Sequence, residues 1–199
     1  MQIRLVSFLL ALFFLSLFAC QNTEKSKAKS LTKESKEVYL KKGKSIAAKS
    51  FTALSGALQK AMQNGGVSNA MQYCKMQAIL ILDSLSTTEN AIIRRTSLQV
   101  RNPSDAPTAS ELKILNQYHK ADASNQEIKP IVEQLANKRI AFYAPIRVNE
   151  FCLQCHGKLG ETLTEENYAF IKNNYPNDAA IGYKAGDLRG MWSIEFINN

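Results

Sequence analysis

The sequence predicts an α+β domain in which a long helical hairpin precedes an antiparallel sheet with inserted helices. Three observations predict it. Between residues 37 and 85 apolar side chains recur at helical spacing, interrupted once by Asn64-Gly65-Gly66. Beyond residue 90, short β-branched runs are separated by turn residues. No alternating strand–helix–strand pattern of the kind that builds a parallel sheet surrounds them. The 199 residues are enough for one domain with appendages.

Helix one is predicted from about Glu37 to Gln63, where Leu40, Ala47, Phe51, Leu54 and Leu58 share a face. Asn64-Gly65-Gly66 supplies residues that tolerate left-handed geometry past a helix end. Ser68 can then cap a second helix running to about Leu85, and the short break makes the two antiparallel neighbours. Ile92 to Val100, apolar and β-branched between Asn90 and Asn102-Pro103, reads as a strand. Pro107 to about Tyr118 reads as a helix with Thr108 or Ser110 near its start. Ile128 to Leu135 and Arg139 to Ile146 read as two strands around an Ala136-Asn137-Lys138 turn. Thr164 starts a short helix with Glu165 and Glu166 at the positive end of its dipole. Trp192, Ile194 and Phe196 alternate with Ser193 and Glu195, the pattern of a half-buried last strand. There is no internal repeat.

The first twenty residues are expected to be a signal rather than fold. Arg4 precedes an almost unbroken apolar run from Leu5 to Phe18, too short to span a bilayer comfortably. Leu17-Phe18-Ala19-Cys20 resembles a bacterial lipobox, which would make Cys20 the lipidated first residue of the mature chain. An ordinary cleaved signal or an uncleaved anchor are the alternatives, and each places the remainder outside the cytoplasm. Residues 21–36 read as a flexible Lys/Ser-rich tether with a reach of roughly 20 Å, and 37–199 as the folded domain.

The formal net charge of +8 is concentrated near the start. Residues 21–50 carry nine lysines against three glutamates, whereas residues 51–199 are close to neutral. Beside a lipid anchor those lysines would face anionic headgroups. A solvated linker is the plainer reading, and export argues against nucleic acid. The expected location is the periplasmic side of a bacterial membrane, lipid-anchored, with a soluble periplasmic form as the alternative.

The chemistry centres on Cys152-Leu153-Gln154-Cys155-His156. Cys-x-x-Cys-His in an exported chain is the attachment signature of a c-type haem: each thiol adds to one vinyl group, and the adjacent histidine ligates the iron. Zinc would want two further ligands, for which only Cys74 and His119 remain. A thioredoxin-type disulfide would sit after a parallel strand, a context not found here. One covalent haem c is therefore expected. For the second iron ligand the candidates are Cys74, His119 and the methionines, including Met71 and Met76. Cys74 aligns with Val67, Ala70, Ala78 and Ile81 on the apolar face of helix two, the kind of surface a haem lies against. His119 keeps polar company and reads as a surface residue. Arg94 and Arg95 are candidate contacts for haem propionates, since Arg pairs bidentately with carboxylates. On a strand they point to opposite faces, so at most one faces a pocket easily.

Several segments together resemble a family of secreted, single-haem c-type proteins with a PAS-like sheet, long known as a domain of unknown function. The matching pieces are Ala70-Met71-Gln72-Tyr73-Cys74, the run from Arg94 to Pro103, Cys152 to Lys158, Tyr175-Pro176-Asn177-Asp178, and Gly182 to Gly190. The resemblance covers about residue 37 to the end. It implies a PAS-like antiparallel sheet behind long N-terminal helices, with iron held by His156 and by the Cys74 sulfur. With both positions filled, substrate chemistry at the metal is disfavoured and no enzyme activity is expected. The expectation is a redox or gas sensor acting through a separate, unidentified redox or signalling partner, with periplasmic electron transfer as the alternative.

Overall fold

The computed structural model describes residues 31–197, apart from the side chains of residues 74 and 75. The expected signal, Cys20 and the tether up to residue 30 lie outside the described residues. Within them, helix α1 (Lys33–Gln63) and helix α2 (Gly66–Glu89) form the hairpin. Strand β1 (Ala91–Thr96), helix α3 (Ala109–Ala123), and strands β2 (Ile131–Gln134) and β3 (Ile140–Arg147) follow. Helix α4 (Leu153–His156), helix α5 (Glu165–Asn174) and strand β4 (Leu188–Phe196) complete the chain. The four strands make one antiparallel sheet in the order β1-β4-β3-β2. The α+β class and the N-terminal hairpin are as the sequence predicts.

Boundaries differ where side chains compete with the backbone. Helix α1 begins at Lys33, not Glu37, because the Thr32 hydroxyl accepts from the Ser35 amide and caps it inside the expected tether. Helix α2 begins at Gly66 with no side-chain cap, so Ser68 lies within its first turn instead of capping it. It continues to Glu89, closed by Asn90 in the left-handed region at φ 52°. Strand β1 stops at Thr96 rather than Val100. The Ser97 hydroxyl engages the amide and carbonyl of Gln99 and donates to Arg189 O at 2.6 Å, turning the chain out of the sheet. Helix α3 starts at Thr108 through a full capping box with Glu111 and runs past Tyr118 to Ala123.

Strand β4 is covered on both faces, not half-buried. Trp192, Ile194 and Phe196 pack with Ile46, Ala47, Ile93 and Phe142 beneath α1. Met191 and Leu188 pack with Ile114, Leu115 and Tyr118 of α3 on the opposite face. Even Ser193 is buried. An inner strand sandwiched between helices loses its polar face, and the alternation in sequence cannot show that. Gly43 lets α1 lie directly on the sheet, since a Cβ there would overlap the Phe142 ring. Pro145 is accommodated in β3 because β2 reaches only as far as Tyr143, leaving that side of the strand unpaired.

The hairpin bend is tied down separately. Val67 and Met71 of α2 pack with Leu163, Ile171 and the partly buried Cys155. The hairpin thus rests on the sheet at one end and on the Cys-x-x-Cys-His segment at the other.

Candidate functional site

Strand β3 delivers the chain to the site. Beyond its register shift at Ile146/Arg147, Val148 N donates to Asp187 O at 2.9 Å, and a single 3-10 turn spans Glu150–Cys152. Asn149 caps that turn. Its Oδ1 accepts from both the amide and the thiol of Cys152, each at 3.1 Å, which orients the sulfur. Helix α4 then places Cys152, Cys155 and His156 on one wall of a cleft. Leu153, buried with Val148 and Tyr183, anchors the turn from behind. Gly157 ends it where a Cβ would overlap the Thr162 hydroxyl, so the following loop closes tightly under His156.

His156 has a defined tautomer. Its Nδ1 lies 2.7 Å from Ala180 O, and a carbonyl only accepts, so Nδ1 carries the proton and Nε2 is the basic nitrogen. Withdrawal from water, followed by the guanidiniums of Arg101 and Arg189, holds the imidazole neutral well below its usual range. This is the state in which Nε2 can ligate a metal.

Arg101 and Asp178 hold that arrangement from beneath. The Arg101 fork meets the Asp178 carboxylate through two bonds of 3.1 Å, with the carboxylate side chain wholly buried. Arg101 also donates to Cys155 O at 2.6 Å and to Ala180 O at 3.3 Å. Asp178 Oδ1 in turn accepts from the Ala180 amide at 2.9 Å. One buried ion pair therefore fixes both the turn bearing Cys155 and the carbonyl that orients His156.

Strand alternation separates the two candidate arginines. Arg95 pairs in register with Trp192 and shares its face, under the hairpin, where it lines the cleft. Arg94 pairs with Ser193 on the other face, donates to Ala106 O at 2.9 Å and lies 3.4 Å from Glu111. Arg94 is engaged against α3 and does not line the cleft. Arg189, to which the sequence pattern assigns no role, lines the cleft instead.

The cleft holds about 330 Å³, within the range of small-molecule and cofactor sites. The hairpin supplies an apolar wall, including Leu54, Leu58 and Met62 of α1 and Ala70, Ala78 and Ile81 of α2. Position 74 lies one turn from both Ala70 and Ala78, on the same face of α2. Phe51 and Ile79 also line the cleft yet remain about half exposed, an apolar surface left uncovered. Met71 is buried core that touches the cleft, and Met76 is exposed at 62% and does not. His119 is half-buried rather than a surface residue, on the helix covering the other face of the sheet, and does not line the cleft.

Arg101, Asn149, Asp178 and Arg189 are the residues sequence reasoning missed. All but Asn149 fall in segments singled out by the family resemblance. For Arg101, Asp178 and Arg189 the signal was their position in those segments, and the contacts that give them roles lie 54 to 92 residues away in sequence; Asn149 acts locally, on Cys152 three residues on.

Fold and site together define an α+β domain whose hairpin closes a Cys-x-x-Cys-His cleft over an antiparallel sheet. The chain belongs to the Tll0287-like family, whose model matches residues 19–196. A solved structure, that of the cyanobacterial heme-protein Tll0287, is similar at 23% identity and a TM-score of 0.56. The likeness covers 77% of this chain and 93% of that one, and it shows a shared fold. No curated protein matches.

Proposed function

We propose that this chain binds one haem c covalently and serves as an exported redox or gas sensor. The observation that carries the reading is the placement of two thiols and a neutral, carbonyl-oriented imidazole on one wall of an apolar cleft. The donor set fits the group. Cys152 and Cys155 would each add S–H across one vinyl group, and His156 would offer Nε2 to the iron. Phe51, Ile79 and the α1–α2 wall offer the apolar surface that a macrocycle would cover. Cys74 would supply the second ligand, as the family resemblance implies, a reading supported by its helical position one turn from Ala70 and Ala78. The solved relative is a heme-protein, which points the same way. When bound, haem supplies a one-electron couple and a coordination position that a small gas can take. The chain's part is to exclude water, to hold His156 neutral and to connect the cleft to a sheet through Trp192. Export and lipidation at Cys20 belong to the same reading and rest on the N-terminal sequence.

Expression in a host with haem-maturation machinery tests it. The expected product has a haem spectrum that survives acid-acetone extraction; absent or extractable haem refutes covalent binding. Cys74→Ser should change the ferric spectrum and leave haem attached, and an unaltered spectrum removes Cys74 as the ligand. A redox titration with partner-reduction kinetics then decides the role. Ligand loss on reduction supports a sensor, whereas fast exchange with unchanged ligation makes the chain an electron carrier.

A further inference from the structure

The floor of the cleft carries more positive charge than its own carboxylates balance. Arg95, Arg101, Arg147 and Arg189 all line it. Arg101 is matched by Asp178 and Arg147 by Asp122. Among the described residues, Arg95 and Arg189 form no ion pair with any carboxylate. The carboxylate that feels both is Asp105, also on the cleft wall, where burial raises its pKa against the pull of Arg95, Arg94 and Arg189. One carboxylate faces two guanidiniums.

Arg189 is half-buried and held by directional contacts. Its Nη1 donates to Ser97 Oγ at 2.6 Å and to Gln99 O at 3.0 Å, and its guanidinium stands 5.3 Å from the Tyr183 ring centre. These neutral partners fix its direction without cancelling its charge. Burial, together with Arg101 and Arg95, lowers its pKa, which is the electrostatic cost of crowding like charges. Gly190, next along β4, lets the Thr96–Ser97 backbone close against that strand beside Arg189, since a Cβ there would overlap Thr96 O. A half-buried charge without a carboxylate partner gains by meeting an anion.

We infer that Arg95 and Arg189 form a carboxylate-binding end of the cleft that takes the haem propionates. Arg94 has no part in it. The inference rests on the haem reading above and deepens it: the apolar wall receives the macrocycle, the thiols fix one edge, and the two guanidiniums receive the acid groups. Arg95 has no hydrogen bond assigned within the described protein, so it is the adaptable member, while Arg189 is preset.

The test uses the haem-loaded protein and reads the propionates directly. Resonance Raman bands of propionate bending and a spectroscopic pH titration are recorded for wild type, Arg95→Ala, Arg189→Gln, Arg189→Lys and Arg94→Ala. Removing an opposite charge disfavours the ionised acid, so Arg95→Ala and Arg189→Gln should each raise the propionate protonation pH by about one unit, tenfold in acid constant. Both should shift the bending bands. Arg189→Lys should restore part of the titration, and Arg94→Ala should leave titration and bands as in wild type. If Arg189→Gln loosens the Ser97 turn, Arg95→Ala still decides, because among the described residues Arg95 makes no hydrogen bond or ion pair that the substitution would break. Haem attached with propionates unmoved in both charge-removing variants overturns this inference alone. A wild type without covalent haem overturns the haem reading and this inference with it.

Discussion

Asp178→Ala removes the carboxylate that neutralises Arg101 and leaves a guanidinium only 11% exposed with no counter-charge. Two bonds of 3.1 Å to Arg101 and one of 2.9 Å from Ala180 N disappear together. Breaking a buried pair from one side costs about 3–5 kcal/mol, because the remaining charge stays desolvated. Arg101 keeps its carbonyl acceptors at Cys155 and Ala180, which places the expected loss at the lower end, about 3 kcal/mol. For a domain of this size that lowers Tm by roughly 6–12 °C. Urea denaturation with a double-mutant cycle measures it. The double variant Arg101→Met/Asp178→Ala, which removes both charges and is compared with each single variant, should be destabilised by much less than the sum of the two, giving strong coupling between the positions. A single-variant loss below about 1 kcal/mol, as for an exposed pair, or additive losses across the cycle, would refute the reasoning.

The remaining predictions concern packing and pH. Gly43→Ala drives a methyl group into the Phe142 ring and should cost about 1–3 kcal/mol. Gly56→Ala, on the same helix with nothing within 4 Å, should instead stabilise by about 0.5–1 kcal/mol; equal effects in chemical denaturation contradict the packing of α1 on the sheet. Burial, with Glu133 nearby, raises Tyr143 from 10.0 to about 12, and burial raises Tyr118 further. Folding thus favours their neutral forms, so this stability is full below about pH 10 and is lost as pH climbs towards about 12. The difference in tyrosinate absorbance between wild type and Tyr118→Phe should appear only as circular dichroism is lost. Its appearance in a protein that keeps its secondary structure rules out a buried Tyr118 hydroxyl bound to Tyr143 O.

Local signals in the chain were enough for the kinds of element and for the chemistry of the motif. Helical periodicity, the Asn64-Gly65-Gly66 break, the Thr108 and Thr164 caps and the Cys-x-x-Cys-His spacing all act within a few residues, so they can be read in order along the sequence. Alternation likewise foretold that Arg94 and Arg95 would part, though not which one would meet the cleft. That choice comes from β1 pairing with β4, which sets Arg95 opposite Trp192 beneath the hairpin. The covering of β4 on both faces, the Arg101–Asp178 pair 77 residues apart and the Arg189–Ser97 bond 92 residues apart depend on the same pairing and on what packs above it. A polar side chain takes its partner from whatever the assembled sheet brings within about 3 Å, and sequence distance carries no record of that. The motif's presence was thus written in five consecutive residues; the neutral, oriented histidine and the charged floor beside it exist only once the sheet and hairpin are joined.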